Sequence, residues 1–127
     1  MSTFLLQNAQ RLHQAGNLPE AARLYSEVLR INPQQFEALY ALGVLYYQSS
    51  RYADGERLIA EAIKLNPRTA EPHYFLGCAL QRLNRNEEAI AAFDQALSLK
   101  PGFIDALMAR GVARMTVNRY EDGLEDF

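Results

Sequence analysis

Few side chains in this 127-residue chain have the nucleophilic, acid–base or metal-ligating character that chemistry requires, and their spacing keeps them apart. His13 and His73 are the only two histidines. They stand far apart, and neither has a cysteine or carboxylate at ligand spacing, which argues against a metal site. Cys78 is the single cysteine, so no disulfide forms within the chain. As a nucleophile it would need a basic partner, and no histidine sits near it in sequence, so it reads as a small groove or core residue. Glu87-Glu88 has the form of a paired-carboxylate acid–base couple, but it falls where a helix begins, and a helix N-terminus favours negative charge without any catalytic role. Glu121, Asp122, Glu125 and Asp126 form an acidic patch that reads as a solvated face. No glycine-rich phosphate loop and no nucleophile elbow is present. The expectation is a non-enzyme with no catalytic residue, no cofactor and no metal.

The elements that carry these residues repeat. Pro33, Pro67 and Pro101 recur every 34 residues, and other columns keep step with them. Leu42-Gly43, Leu76-Gly77 and Arg110-Gly111 align, as do Ala21, Gly55, Ala89 and Gly123, and then Tyr25, Ile59, Phe93 and Phe127. A fixed period of this length marks an array of one supersecondary unit, whose stability is spread along neighbour contacts. Within a unit the apolar spacing is helical: Leu39, Leu42, Gly43 and Tyr46 share one face, and after a break at Ser49-Ser50-Arg51 a second face follows with Gly55, Leu58, Ile59, Ala62 and Leu65.

Each unit is therefore read as helix, short turn, helix. The pattern predicts helices near 2–15, 18–31, 36–49, 52–65, 70–83, 86–99, 104–117 and from 120 onward. Gly16 suits a left-handed helix end, and Asn17 suits the cap of the next helix with Pro19 in its first turn. The recurrent prolines close the units, because proline cannot continue a helix and holds the residue before it extended. Glycine inside a helix costs roughly 1 kcal/mol relative to alanine, so Gly43, Gly77 and Gly111 are expected where two backbones approach closely. Large residues such as Phe93 then fill the gap to the next unit.

Bulk properties narrow the partner. Net charge is −2 and the basic residues are scattered, which argues against nucleic acid and anionic membrane surfaces. The first residues, MSTFLLQNAQRLHQ, lack a signal peptide's apolar run, and no stretch approaches the roughly 20 apolar residues that span a bilayer. A cytoplasmic protein is expected.

These columns resemble the tetratricopeptide repeat. The second and third units carry Leu42-Gly43, Tyr46, Ala62 and Pro67, and Leu76-Gly77, Ala89, Phe93, Ala96 and Pro101; the first carries Ala21, Tyr25 and Pro33. Asn8 and Ala9 replace Leu-Gly in the first unit, and Arg110 and Arg114 depart from the pattern in the fourth. The resemblance implies an all-α, right-handed superhelical solenoid of antiparallel helix pairs. It is read as one array over 1–127, with repeats at about 2–35, 36–69, 70–103 and an incomplete 104–127. It also implies the front of a longer protein, of the kind bacteria place ahead of a glycosyltransferase or sulfotransferase domain.

The family geometry further implies a concave groove lined by first helices in three rows: Leu6, Tyr40, Tyr74, Met108; Gln10, Val44, Cys78, Val112; and His13, Tyr47, Gln81, Met115. Family members that clamp a terminal carboxylate use Lys, Asn and Arg on these rows, and none of these positions holds one. The asparagine ladder of repeats attached to O-linked N-acetylglucosamine transferases is absent as well, since the neighbouring column reads Gln7, Ala41, Phe75, Ala109. What remains is an aromatic and methionine-bearing trough with an acidic edge at Glu37, Glu71 and Asp105, suited to the apolar face of an amphipathic helix. The expected role is protein or peptide binding. The competing readings are the partner-binding part of a larger enzyme and a self-assembly element that forms homo-oligomers through its far end.

Overall fold

A computed structural model describes the backbone of Ser2–Glu125 and the side chains of residues 3–121. The described residues form seven α-helices and no strand: α1 (Ser2–Gln14), α2 (Leu18–Ile31), α3 (Phe36–Gln48), α4 (Tyr52–Leu65), α5 (Ala70–Arg82), α6 (Asn86–Leu99) and α7 (Ile104–Glu125). The chain divides into two compact units, Met1–Pro67 and Arg68–Phe127. In the first, α1 pairs with α2, α2 with α3 and α3 with α4; in the second, α6 packs against both α5 and α7.

The period sets where helices stop. α2, α4 and α6 end two residues before Pro33, Pro67 and Pro101, and Asn32, Asn66 and Lys100 hold extended φ values of −137°, −146° and −142°. The turns inside the hairpins share a second device. Gly16, Ser50 and Asn84, one period apart, have φ of +84°, +64° and +62°. The next residue's amide then donates back across the turn: Asn17 to Leu12 at 2.9 Å, Arg51 to Tyr46 at 2.8 Å and Arg85 to Leu80 at 2.9 Å. This closes orphan carbonyls at each helix end. Asn17 stands at the N-cap of α2 with Pro19 in the first turn, but its side chain makes no capping bond, contrary to the sequence expectation.

Small residues let each hairpin close. A Cβ on Gly43 would come within 2.6 Å of Ile59, and one on Gly77 within 2.5 Å of Phe93. In the first unit Tyr25, Val28, Leu42, Leu45 and Ala62 build the core. In the second, Phe93 is fully buried, and Ala96, Leu97 and Ala106 pack with Tyr74 and Phe103.

The fourth repeat departs from the expectation. In place of a helix over 104–117 and another from 120, α7 runs unbroken from Ile104 to Glu125, through Asn118. Among the described residues nothing lies within 4 Å of a Cβ on Gly111, so none of the described helices rests on α7 there. Without that contact, the continuous ladder of helix hydrogen bonds outweighs a left-handed residue, which costs roughly 1–2 kcal/mol when it is not glycine. Phe127, expected to be a buried aromatic of this repeat, lies outside the described residues. Arg110, which replaces the leucine of its column, is held by an ion pair to Asp94 of α6 at 2.8 Å.

Phe93 is the clearest test of this packing. Phe93→Ala should cost about 3–5 kcal/mol in urea unfolding, the range for deleting a fully buried phenylalanine. A loss below about 1 kcal/mol would show that the ring does not fill the space at Gly77.

Candidate partner-binding surfaces

The groove positions implied by the family resemblance fall into three groups. In the second unit α5 and α7 bring four of them together. Tyr74, Gln81, Met108 and Val112 line a depression of about 300 Å³, with Asp105 and Ala109 completing it. Tyr74 is fixed edge-on to Phe75 and tilted against Phe103, each with ring centroids 5.1 Å apart. Met108 and Val112 present 67% and 55% of their surface. Side chains this large and this exposed offer an apolar contact surface, and methionine adapts its shape to what it meets. At the rim, Glu71 is paired with Lys100 at 3.3 Å, so one carboxylate of the expected acidic edge is partly neutralised.

The first unit offers a different surface. Gln10, His13, Gln14, Tyr25 and Gln48 line an open pocket of about 620 Å³ between α1, α2 and α3, and its chemistry is polar rather than apolar. Gln48 Oε1 accepts a hydrogen bond from His13 Nε2 at 2.7 Å. His13 Nδ1 lies within hydrogen-bond distance of the Tyr25 hydroxyl, at 3.1 Å. The contact gives a hydrogen-bond partner to a phenol whose ring is almost wholly buried. Burial pushes the Tyr25 hydroxyl up to about 12.

The remaining positions do not present a free surface in the way the repeat geometry implied. Val44 and Cys78 of the middle row are buried, whereas Gln10 and Val112 of the same row are exposed. Leu6 and Tyr40 pack against the first unit's core. Tyr47 is half-buried and tilted on Tyr52 at 5.6 Å. Met115 is exposed but stands outside the lining of the α5–α7 depression. Gln14 and Gln48 were not among the expected residues, although they are one period apart and could have been found as a column. Among the described residues no three His, Cys, Asp or Glu side chains converge to hold a metal ion, and no helix is long and apolar enough to cross a membrane.

Comparison with known proteins matches this geometry to a family. A tetratricopeptide repeat model matches residues 40–102 and 74–127, and a second, described as TPR repeat, matches 9–50. The chain belongs to the tetratricopeptide repeat family. Membership makes it a helical-repeat array and a protein-interaction scaffold. No curated protein matches it. Among solved structures, an O-GlcNAc transferase mutant from Thermobaculum terrenum is 31% identical with a TM-score of 0.82, over 88% of this chain but only 22% of the transferase. The first tetratricopeptide domain of Spaghetti (RPAP3), bound to an HSP90 peptide, has a TM-score of 0.89 at 19% identity, covering 92% of this chain and 93% of that one. MamA has a TM-score of 0.89 at 23% identity, over 98% of this chain and 72% of its own.

The buried phenol gives a pH test. An unfolded tyrosine ionises near 10, whereas Tyr25 holds its proton to about 12. Above pH 10 the unfolded state therefore binds fewer protons than the folded one, and stability must fall between about pH 10 and 12. Tyr25→Phe should flatten that part of a stability–pH profile measured by denaturant unfolding. An unchanged slope would show that Tyr25 does not titrate late.

Proposed function

We propose that this chain is a non-catalytic binding module that takes the apolar face of an amphipathic helix along α5 and α7. The observation that carries this reading is the depression between those helices, where Tyr74, Met108 and Val112 present apolar surface on a fixed backbone. Burying about 400 Å² of such surface gives on the order of 10 kcal/mol gross, and the cost of association removes much of it. Gln81 and Asp105 at the edges supply polar contacts that orient the ligand.

The peptide-bound Spaghetti domain shares the fold at an identity that carries no ligand information. Here the twelve positions expected to line the groove hold no lysine, arginine or asparagine to grip a terminal carboxylate. A second reading makes the chain the partner-binding region of a larger glycosyltransferase, and the similarity to the Thermobaculum terrenum enzyme favours it. A reading frame that continues past Phe127 into such a domain decides that question.

Binding variants test the main reading. With a partner helix in a calorimeter, Tyr74→Ala and Met108→Asp should each weaken affinity by about tenfold or more, as anchor residues in a small interface do. Circular dichroism should stay unchanged. Equal affinity in both variants, or tight and carboxylate-dependent binding of an EEVD-ended peptide, would contradict the apolar groove.

A further inference from the structure

The strongest unassigned feature is a hollow of about 350 Å³ in the second unit, where the start of α6 faces the far part of α7. Asn84, Asn86 and Glu87 supply one wall, and Val117, Tyr120 and Glu121 supply the other. It shares no lining residue with the α5–α7 depression. Asn86 is only 9% exposed, yet its side-chain amide makes no hydrogen bond to another described residue. The polar atoms of that amide open onto the hollow. A buried amide without a partner costs stability, and a ligand that bonds to it recovers the loss.

The first unit holds an equivalent hollow with different walls. Leu18, Pro19 and Ser49 stand two periods before Asn86, Glu87 and Val117, and they line a hollow of about 250 Å³ together with Tyr46 and Arg51. There the chain supplies its own cation. The Arg51 guanidinium lies over the Tyr46 ring, 4.2 Å from its centroid, and Nε donates to Asp54 at 2.9 Å. In the second unit the leucine has become an amide and the proline a carboxylate, and no basic side chain lines the space. Arg85, at the head of α6, is held by Glu88 at 2.6 Å. Glu87 and Glu121 form no ion pair with another described residue.

We infer that this hollow binds the guanidinium of an arginine side chain on a partner protein. Glu87 and Glu121 accept its N–H groups, the Asn86 amide oxygen accepts another, and the Tyr120 ring, 69% exposed, lies against its plane. Charge decides the sign of the ligand. A helix N-terminus alone would favour an anion, but two carboxylates without ion-pair partners oppose one. Shape decides between cations. A planar guanidinium presents five donors in a fixed fork and stacks on an aromatic face, whereas an ammonium is a compact, strongly hydrated point charge. The site is independent of the apolar depression and adds a charged anchor to the same unit.

Short capped peptides test this on the full chain. In an NMR titration, acetyl-Gly-Arg-Gly-amide should shift the side-chain amide signals of Asn84 and Asn86 saturably. It should bind at least about tenfold tighter than its citrulline counterpart, a neutral isostere, since hydrogen bonds to charged groups are worth that much. The lysine counterpart should also bind more weakly. Glu87→Gln combined with Glu121→Gln should weaken the arginine peptide by about tenfold. Both side chains are exposed, so the fold is not at stake in that variant. Asn86→Leu, which restores the residue type of Leu18, should weaken the peptide too, read on the Asn84 amide, while raising the midpoint of urea unfolding. No saturable shift, equal affinity for the citrulline or lysine peptide, or full affinity in the double glutamine variant would overturn the inference.

Discussion

Everything in this fold depends on how closely two antiparallel helix backbones can approach. At Gly43 and Gly55 the approach is so tight that a Cβ on Gly55 would sit 2.8 Å from the Gly43 carbonyl oxygen. In the next hairpin the space over Gly77 is taken by a whole aromatic ring, Phe93. Helix interiors disfavour glycine, so these positions cost local stability that the burial of Ile59 and Phe93 offsets. The same contact determines which side chains face outward. Once α6 is locked to α5 through Phe93, α7 follows against α6, and Tyr74 comes beside Met108 and Val112.

Much of this was legible because the repeat converts one sequence into several aligned observations. The prolines locate the helix ends, and the helical spacing of Leu39, Leu42 and Tyr46 gives the inner face. The continuity of α7 through Asn118 was not legible, because its local sequence matches that of Asn84, where the chain turns: each is asparagine followed by arginine. What differs is tertiary. Asn84 is followed by a helix seated on Gly77, whereas among the described residues nothing is seated on Gly111. Val44 and Cys78 were placed in the middle of the groove by the family resemblance, whereas the structure buries both. The His13–Tyr25–Gln48 chain links three helices, so no local pattern announces it. Arg110 reads as a defect in the repeat until Asp94 appears beside it.

The two surfaces have different chemistry although they are built from equivalent helices. The first unit presents amides and an imidazole hydrogen-bonded to Gln48 and Tyr25. The second presents a thioether, an aliphatic side chain and an aromatic ring. Exposed pairs such as Arg23–Glu20 and Arg30–Glu27 decorate α2, and each contributes little to stability.

The close-packing claim is tested most directly by a double-mutant cycle on Gly77 and Phe93, followed by urea unfolding. If the ring fills the space a Cβ would need, Gly77→Ala should destabilise the chain strongly alone and much less in a Phe93→Leu background, with a coupling of at least about 1 kcal/mol. Effects that add within about 0.3 kcal/mol would contradict it, because the two sites would then be energetically independent.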